Sequence, residues 1–132
     1  MKNEMFVSLW VGNTESEERL KDYVSLVYTD NGEYLSSIFV KEFRINPDEI
    51  DEDYLECAYY EQKSNTISTL LRGCSYEDEV ANEFKSRFGD DLNCMYNSVI
   101  IAYDYRYKKR MILISNKSNF KYIGCIKIEY NS

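Results

Sequence analysis

The clearest structural signal in the chain is the run FKYIGCIKIEY at residues 120–130. Successive side chains of a strand point to opposite faces of its sheet. One face of such a strand would carry Phe120, Tyr122, Gly124, Ile126, Ile128 and Tyr130. The other face would carry Lys121, Ile123, Cys125, Lys127 and Glu129. This alternation is typical of an antiparallel strand with one face on a core, so we predict a strand over residues 120–130.

Three further strands are predicted outside this run. Residues 98–105 and 111–115 are strand-like and are joined by the basic residues 106–110, so we expect the last three strands to form a C-terminal meander. Near the N-terminus, residues 5–11 form an apolar run that ends at the turn signal Gly12-Asn13, which indicates a buried strand with Trp10 in the core. Alternation over residues 55–60 indicates a possible short strand as well.

About four helices are predicted between the first strand and the last three. The first begins at Thr14 or Ser16, either of which can accept a hydrogen bond from a free N–H of the first turn, and ends before residues 30–32. The second covers residues 34–43 and ends before Pro47, because the residue preceding a proline is pushed out of the helical region.

The other two predicted helices are separated by Gly73. The third covers residues 64–71, and Gly73 ends it in a left-handed turn. The fourth begins at Ser75, with Asp78 three residues later as in a capping box, and ends at Gly89. Its buried stripe is formed by Val80, Ala81, Phe84 and Phe88.

The order of these elements predicts an α+β protein, with a mainly antiparallel sheet and helices packed on one side of it. At 132 residues and 44% hydrophobic composition, we expect one domain over residues 1–132. No stretch approaches the roughly 20 apolar residues of a membrane span, and the N-terminus does not resemble a signal peptide. We therefore expect a cytoplasmic protein that does not bind a membrane.

Catalysis of the familiar kinds is not expected. The chain has no histidine, which removes Ser-His and Cys-His nucleophilic chemistry, and it has no nucleotide-binding glycine loop. The four cysteines are far apart without a C-x-x-C pair, so we expect reduced thiols and neither a zinc site nor another cofactor. One alternative stays open: Cys74, just before a predicted helix, is either an activated thiol or a buried residue beside a turn glycine.

The charge of the chain favours a basic protein partner. Aspartate and glutamate number 23 against 16 lysines and arginines, which gives a net charge of −7. Direct binding of nucleic acid is not expected, because it depends on lysine and arginine contacts to phosphates. Acidic residues crowd residues 48–61 without a basic residue between them, and tyrosines that could anchor a protein contact are interspersed among them. The predicted partner-binding residues are Asp48, Glu49, Asp51, Glu52, Asp53, Tyr54, Glu56, Tyr59, Tyr60 and Glu61.

Two other interpretations of this acidic segment remain open. It could be a solvated charge run without a specific role. It could also bind a metal ion, although its spacing does not match a calcium-binding loop and no glycine supplies the sharp turn of that loop.

Several motifs together resemble the immunity protein 22 family of bacterial polymorphic-toxin systems. They are VSLWVGN at residues 7–13, Ser16-Glu17-Glu18 with Leu20 and Tyr23, FVKEF at residues 39–43, GCSY at residues 73–76, and FKYIG at residues 120–124. The family often has an aromatic residue after its W-x-G-N, where this chain has Thr14. The resemblance implies an α+β fold and a role in neutralising the toxin encoded beside the gene. The motif residues themselves are interpreted as turn glycines and core aromatics, outside the binding site.

The hypothesis that combines these observations is a stoichiometric inhibitor without enzymatic activity. Its acidic, tyrosine-bearing surface at residues 48–61 would dock on a basic face of a toxin domain, with the substrate cleft of a nuclease as a candidate. The alternatives are a small cytoplasmic adaptor that binds a partner unrelated to a toxin, and an enzyme that uses Cys74 or the carboxylates.

Overall fold

The computed structural model describes residues 2–25, 27–28, 31, 34–108 and 119–131. Its strands are β1 (Lys2–Gly12), β2 (Val27–Tyr28), β3 (Tyr34–Leu35), β4 (Leu55–Thr66), β5 (Asp91–Tyr103) and β6 (Phe120–Asn131). Its helices are α1 (Glu17–Val24), α2 (Ile38–Glu42), α3 (Ile67–Leu70) and α4 (Glu77–Phe88), and a 3₁₀ turn covers Glu52–Tyr54. No helix among these residues is long and apolar enough to cross a membrane.

Four strands form one antiparallel sheet in the order β4-β5-β1-β6, and β2 pairs with β3 in a separate ribbon. The predicted α+β class is confirmed. The predicted C-terminal meander would place the strand at residues 111–115 between β5 and β6, whereas in the structure β1 lies between them. The predicted strand at residues 111–115 lies outside the described residues.

The helices cover both faces of the sheet, so the prediction of helices on one side is wrong. On the face covered by α3 and α4, the core includes Val7, Leu9, Ile101 and Ile126. On the face covered by α1 and α2, it centres on Trp10, which is fully buried as predicted. The reason is that β1 and β5 are apolar on both faces, which forces them to the centre of the sheet and requires a layer on each side.

The prediction that the apolar residues of β6 share one face is wrong, because β6 contains a bulge. Trp10 pairs with Tyr122 whereas Leu9 pairs with Gly124, so Ile123 is one residue more than β1 supplies. An extra residue shifts every later side chain to the opposite face. Tyr122 therefore packs under α1 and α2, and Ile126 packs under α3 and α4.

The first two helices differ in how well their starts were predicted. Ser16 is the N-cap of α1, and its side chain accepts a hydrogen bond of 3.1 Å from the Arg19 N–H, as predicted. The second helix, α2, begins later than predicted, because residues 34–35 belong to β3. Ser37 is the N-cap of α2.

The last two helices also begin later. β4 continues to Thr66, so α3 begins at Ile67. Tyr76, not Ser75, is the N-cap of α4, and it has the left-handed conformation with φ 55° and no side-chain capping bond. The predicted turns at Gly73 and Gly89 are confirmed by φ values of 83° and 82°.

The loop between β1 and α1 is fixed by polar side chains of β5. Asn97 Oδ1 accepts a hydrogen bond of 2.9 Å from the Thr14 N–H, and Asn97 Nδ2 donates one of 2.9 Å to the Thr14 carbonyl. The Thr14 hydroxyl also lies 2.7 Å from that of Ser98. Thr14 therefore has a structural role in this chain.

Candidate functional site

The acidic segment lies mainly on the surface before β4. Asp48, Glu49, Asp51 and Asp53 are exposed, and Glu52 is half-buried. Asp51 accepts a hydrogen bond of 2.9 Å from the Asp53 N–H, which caps the 3₁₀ turn. This bond occupies part of the Asp51 carboxylate, whereas the described contacts of Asp53 are made by its backbone.

β4 separates the remaining predicted residues between the two faces of the sheet. Glu56 and Tyr60 lie on the face of α3 and α4, where the Tyr60 hydroxyl is 3.0 Å from the Leu70 carbonyl. Tyr59 lies on the opposite face and its hydroxyl donates to the Glu15 carbonyl at 3.4 Å. Glu61 is exposed farther along the strand. The ten predicted residues therefore do not form one surface, and Asp53, Tyr54 and Glu56 are the ones brought together.

Glu56 holds the turn that precedes α4. Its Oε1 accepts hydrogen bonds of 2.9 Å from the Ser75 N–H and of 2.9 Å from the Tyr103 hydroxyl. Its Oε2 accepts a bond of 3.0 Å from the Ser75 hydroxyl. At the start of the same turn, the Gly73 N–H donates to Glu77 at 2.7 Å. The GCSY turn is thus fixed by carboxylates on either side of it.

The surroundings of Cys74 and Tyr103 at this turn favour the neutral forms of both side chains. Burial, opposed by a hydrogen bond with Tyr103, raises the pKa of the Cys74 thiol to about 11. Burial also raises the pKa of Tyr103, and the nearby Cys74 and Glu56 add to the rise. Because the thiolate is the nucleophilic form, a protonated Cys74 at neutral pH does not support the activated-thiol interpretation.

A cleft of about 400 Å³ opens beside this turn, and we refer to it as the tyrosine cleft. Four tyrosines line it, from the 3₁₀ turn before β4, the GCSY turn and the ends of β5 and β6: Tyr54, Tyr76, Tyr103 and Tyr130. Tyr54 is 54% exposed and Tyr76 is 43% exposed. The carboxylates of its lining are Asp53, Glu56 and Asp104, and no lysine or arginine is among the described residues that line it.

The backbone at the tyrosine cleft is unusual at two positions. Tyr76 and Asp104 have φ values of 55° and 58°, in the left-handed region that non-glycine residues rarely adopt. Two other non-glycine residues in the described part of the chain, Arg44 and Asn93, share this conformation. Conformations of this kind concentrate at functional sites, so they mark the tyrosine cleft as a candidate.

An acidic groove of about 620 Å³ adjoins the cleft, and Tyr130 lines both. Its acids come from β1, α4 and β6: Glu4, Asp78, Glu79, Glu83 and Glu129. Its single lysine, Lys127, lies 3.4 Å from Glu4. Sequence reasoning missed this groove because its acids are scattered over three elements, and the acids of the first α4 turn indicated only a helix start.

The cleft and the groove present tyrosine rings and carboxylates at the surface of the protein. In the described ranges, no group of three or more cysteine, aspartate or glutamate residues is arranged to hold a metal ion. Tyr76, which the sequence analysis placed outside the site, is an exposed part of it.

Comparison with known proteins identifies one family. The model of the family described as immunity protein 22 matches residues 7–130, which extend from within β1 to within β6 and include every lining residue of the tyrosine cleft except Met5. No curated protein and no solved structure matches the chain. Because the match covers nearly all of the 132 residues, the chain belongs to the immunity protein 22 family.

Proposed function

We propose that this chain is an immunity protein that binds one bacterial toxin domain and blocks it by covering its surface. The proposed contact surface consists of the tyrosine cleft and the acidic groove. Residues 1–132 act as one domain, in the cytoplasm of the cell that they protect. The family membership supports the role, and the composition of the cleft supports the location of the contact.

The location depends on one observation: the described residues that line the cleft combine exposed tyrosines and carboxylates and include no lysine or arginine. Tyrosine provides a large amphipathic contact area at low conformational cost, which is why it is common at the centre of interfaces. Carboxylates around it raise the association rate with a basic partner and disfavour acidic ones. The tyrosines of the cleft would therefore anchor the partner, and its carboxylates would favour a basic partner over an acidic one.

A nuclease is the class of toxin that this charge favours. A nuclease needs lysine and arginine in its substrate cleft to bind phosphates, and these residues would complement the acidic groove. Inhibition then requires no chemistry by the immunity protein, because occupying the substrate cleft is sufficient. Burial raises the pKa of the Cys74 thiol, which disfavours the thiolate that a cysteine nucleophile needs.

The experiment uses the toxin domain encoded next to this gene, purified with an inactivating substitution if needed. We expect a stoichiometric complex, and we expect the Asp53→Lys/Glu79→Lys variant to associate about tenfold more slowly at low salt with a weaker salt dependence. Asp53 is preferred to Asp51 because the Asp51 side chain caps a turn.

The matched control is Glu18→Lys/Asp22→Lys, which makes the same change of charge on exposed residues of α1, on the other side of the sheet. It should keep most of the association rate. Equal slowing by both variants would mean that only net charge matters and would remove the cleft and groove from the interface. Failure of the toxin domain to bind, with capture of a protein unrelated to a toxin from the native bacterium, would favour the adaptor alternative.

A further inference from the structure

We propose that the tyrosine cleft receives one arginine side chain of the partner protein. This inference rests on the proposed function and goes beyond it, because it names the chemical group that the cleft recognises. It depends on three properties of the cleft: its unbalanced charge, the arrangement of its rings and its fixed backbone.

The charge of the cleft lacks a counterpart within the described residues. Asp53, Glu56 and Asp104 line it without a lysine or arginine. Glu56 is half-buried, and its Oε2 accepts one described hydrogen bond, from Ser75, although a carboxylate oxygen can accept two. A cation at this open position would donate a charge-assisted hydrogen bond to the carboxylate, which is stronger than a neutral one. A cation from the partner would complete this arrangement.

The rings of the cleft suit a planar cation. The Tyr76 ring centroid lies 5.4 Å from that of Tyr130 and 6.3 Å from that of Tyr103, and the ring planes are inclined by 55° and 61°. Tyr76 is 43% exposed, so part of its ring is accessible to a partner. A guanidinium group can stack on an aromatic ring and bind a carboxylate with two parallel N–H groups, whereas an ammonium group can do neither in the same way.

The size of the cleft limits what can enter. Its volume of about 400 Å³ is near the lower end of the range of about 300–1,000 Å³ for small-molecule pockets. It therefore fits one long side chain with its water molecules. A helix or a strand of the partner would have to lie across the adjoining acidic groove instead.

The backbone of the cleft is held in place before binding. Glu56 accepts hydrogen bonds from the N–H and the hydroxyl of Ser75, the residue before the left-handed Tyr76. The Tyr76 ring also packs against those of Tyr103 and Tyr130, and such preorganisation reduces the conformational entropy lost on binding. Glu56 is thus a positioning residue for Tyr76 as well as a carboxylate of the cleft.

The experiment titrates the folded chain with N-acetylarginine amide and follows the ring resonances of Tyr76 and Tyr130 by NMR. We expect saturable shifts with this probe. N-acetylcitrulline amide has the same shape without the charge, and we expect it to cause no saturable shift. Nα-acetyllysine amide carries an ammonium group on its free side chain, and we expect it to bind more weakly than N-acetylarginine amide.

Two variants locate the probe. Asp104→Asn removes a charge while keeping a residue that tolerates the left-handed conformation, and we expect it to weaken arginine binding about two- to fivefold. Asp22→Asn makes the same change of charge on an exposed residue of α1 that does not line the cleft, and it should leave binding unchanged. Tyr130→Leu should weaken binding and Tyr130→Phe should preserve it, because the ring is the part that a cation contacts.

Equal shifts with the citrulline probe, or equal binding of lysine and arginine amides, would overturn the assignment to a guanidinium group. Equal effects of Asp104→Asn and Asp22→Asn would also overturn it, because they would place the probe elsewhere. These results do not depend on the toxin. A toxin domain that fails to bind would instead contradict the proposed function, so the two failures are distinguishable.

Discussion

Tyr103 of β5 donates a hydrogen bond of 2.9 Å to the carboxylate of Glu56 on the neighbouring strand β4. The same hydroxyl lies 2.8 Å from the Ser75 carbonyl, and because a phenol has one proton, the two acceptors share it. Strand, strand and turn are thereby joined at one buried group, next to the surface that we propose for toxin binding.

Removing this hydroxyl should destabilise the protein. We expect Tyr103→Phe to lower the free energy of unfolding by about 1–2 kcal/mol, because two partly buried acceptors lose their donor. Urea unfolding followed by fluorescence measures it. Tyr23→Phe is the control, since the Tyr23 hydroxyl donates to Glu42 at an exposed position, and it should cost less. An equal cost for the two variants would contradict the special role of Tyr103.

Stability should fall as the pH rises above about 10, where an exposed tyrosine begins to ionise. Burial raises the pKa of Tyr122 to about 12 and also raises the pKa of Tyr103. Between these pH values the unfolded chain loses the protons that the folded chain keeps, so rising pH favours unfolding, and the stabilisation is complete only below about pH 10. Urea unfolding across this range should show a smaller fall in the free energy of unfolding for Tyr122→Phe than for the original chain. If the free energy of unfolding of that variant fell as steeply with pH as that of the original chain, the result would argue against a buried Tyr122.

The cysteines should differ in reactivity with iodoacetamide. Cys94 is exposed, whereas Cys74 is half-buried with a pKa of about 11. Because the thiolate reacts, Cys74 should be labelled more slowly than Cys94 at neutral pH and faster as the pH rises. Peptide mass spectrometry after timed labelling distinguishes them. Rapid labelling of Cys74 in the folded chain would restore the enzyme alternative.

Two glycines should tolerate alanine differently. A Cβ at Gly12 would lie 2.5 Å from the Asn119 carbonyl oxygen, which belongs to the backbone, whereas a Cβ at Gly124 would overlap the end of the Phe88 side chain. Phe88 is partly exposed and can rotate away, but the backbone cannot.

We therefore expect Gly12→Ala to cost about 2–3 kcal/mol and Gly124→Ala about 1 kcal/mol. Thermal or urea unfolding gives both values. Adding Phe88→Leu should reduce the cost at Gly124 and leave the cost at Gly12 unchanged. A larger cost at Gly124 than at Gly12 would show that the Phe88 ring is held rigidly.

Local features of the fold were predictable from the sequence. The Ser16 cap and the glycine ends of helices depend on a few adjacent residues, and the hydrophobic periods identified β1, β6 and α4. The central position of β1 was not predictable, because it depends on pairing between residues about 90 or more positions apart. The bulge at Ile123 also depends on the partner strand, and it reverses the faces that simple alternation assigns.

The candidate site was predictable only in part. Asp53 and Tyr54 follow from the acidic segment, but Tyr76, Asp104 and Tyr130 come from a turn and two strand ends that only the folded sheet brings together. Glu56 was predicted as a contact residue, and its hydrogen bonds to Ser75 and Tyr103 give it a structural task that charge patterning cannot reveal.

The sheet also keeps two apolar layers apart, one around Trp10 and one beneath α3 and α4. A toxin that changes under selection obliges its antidote to change with it. Because the proposed recognition surface borders mainly the layer beneath α3 and α4, with Leu55 as its lining residue from the Trp10 layer, substitutions at its rim leave most of the Trp10 side to maintain the architecture. The protein can therefore acquire a new binding specificity while most of the packing around Trp10 stays unchanged.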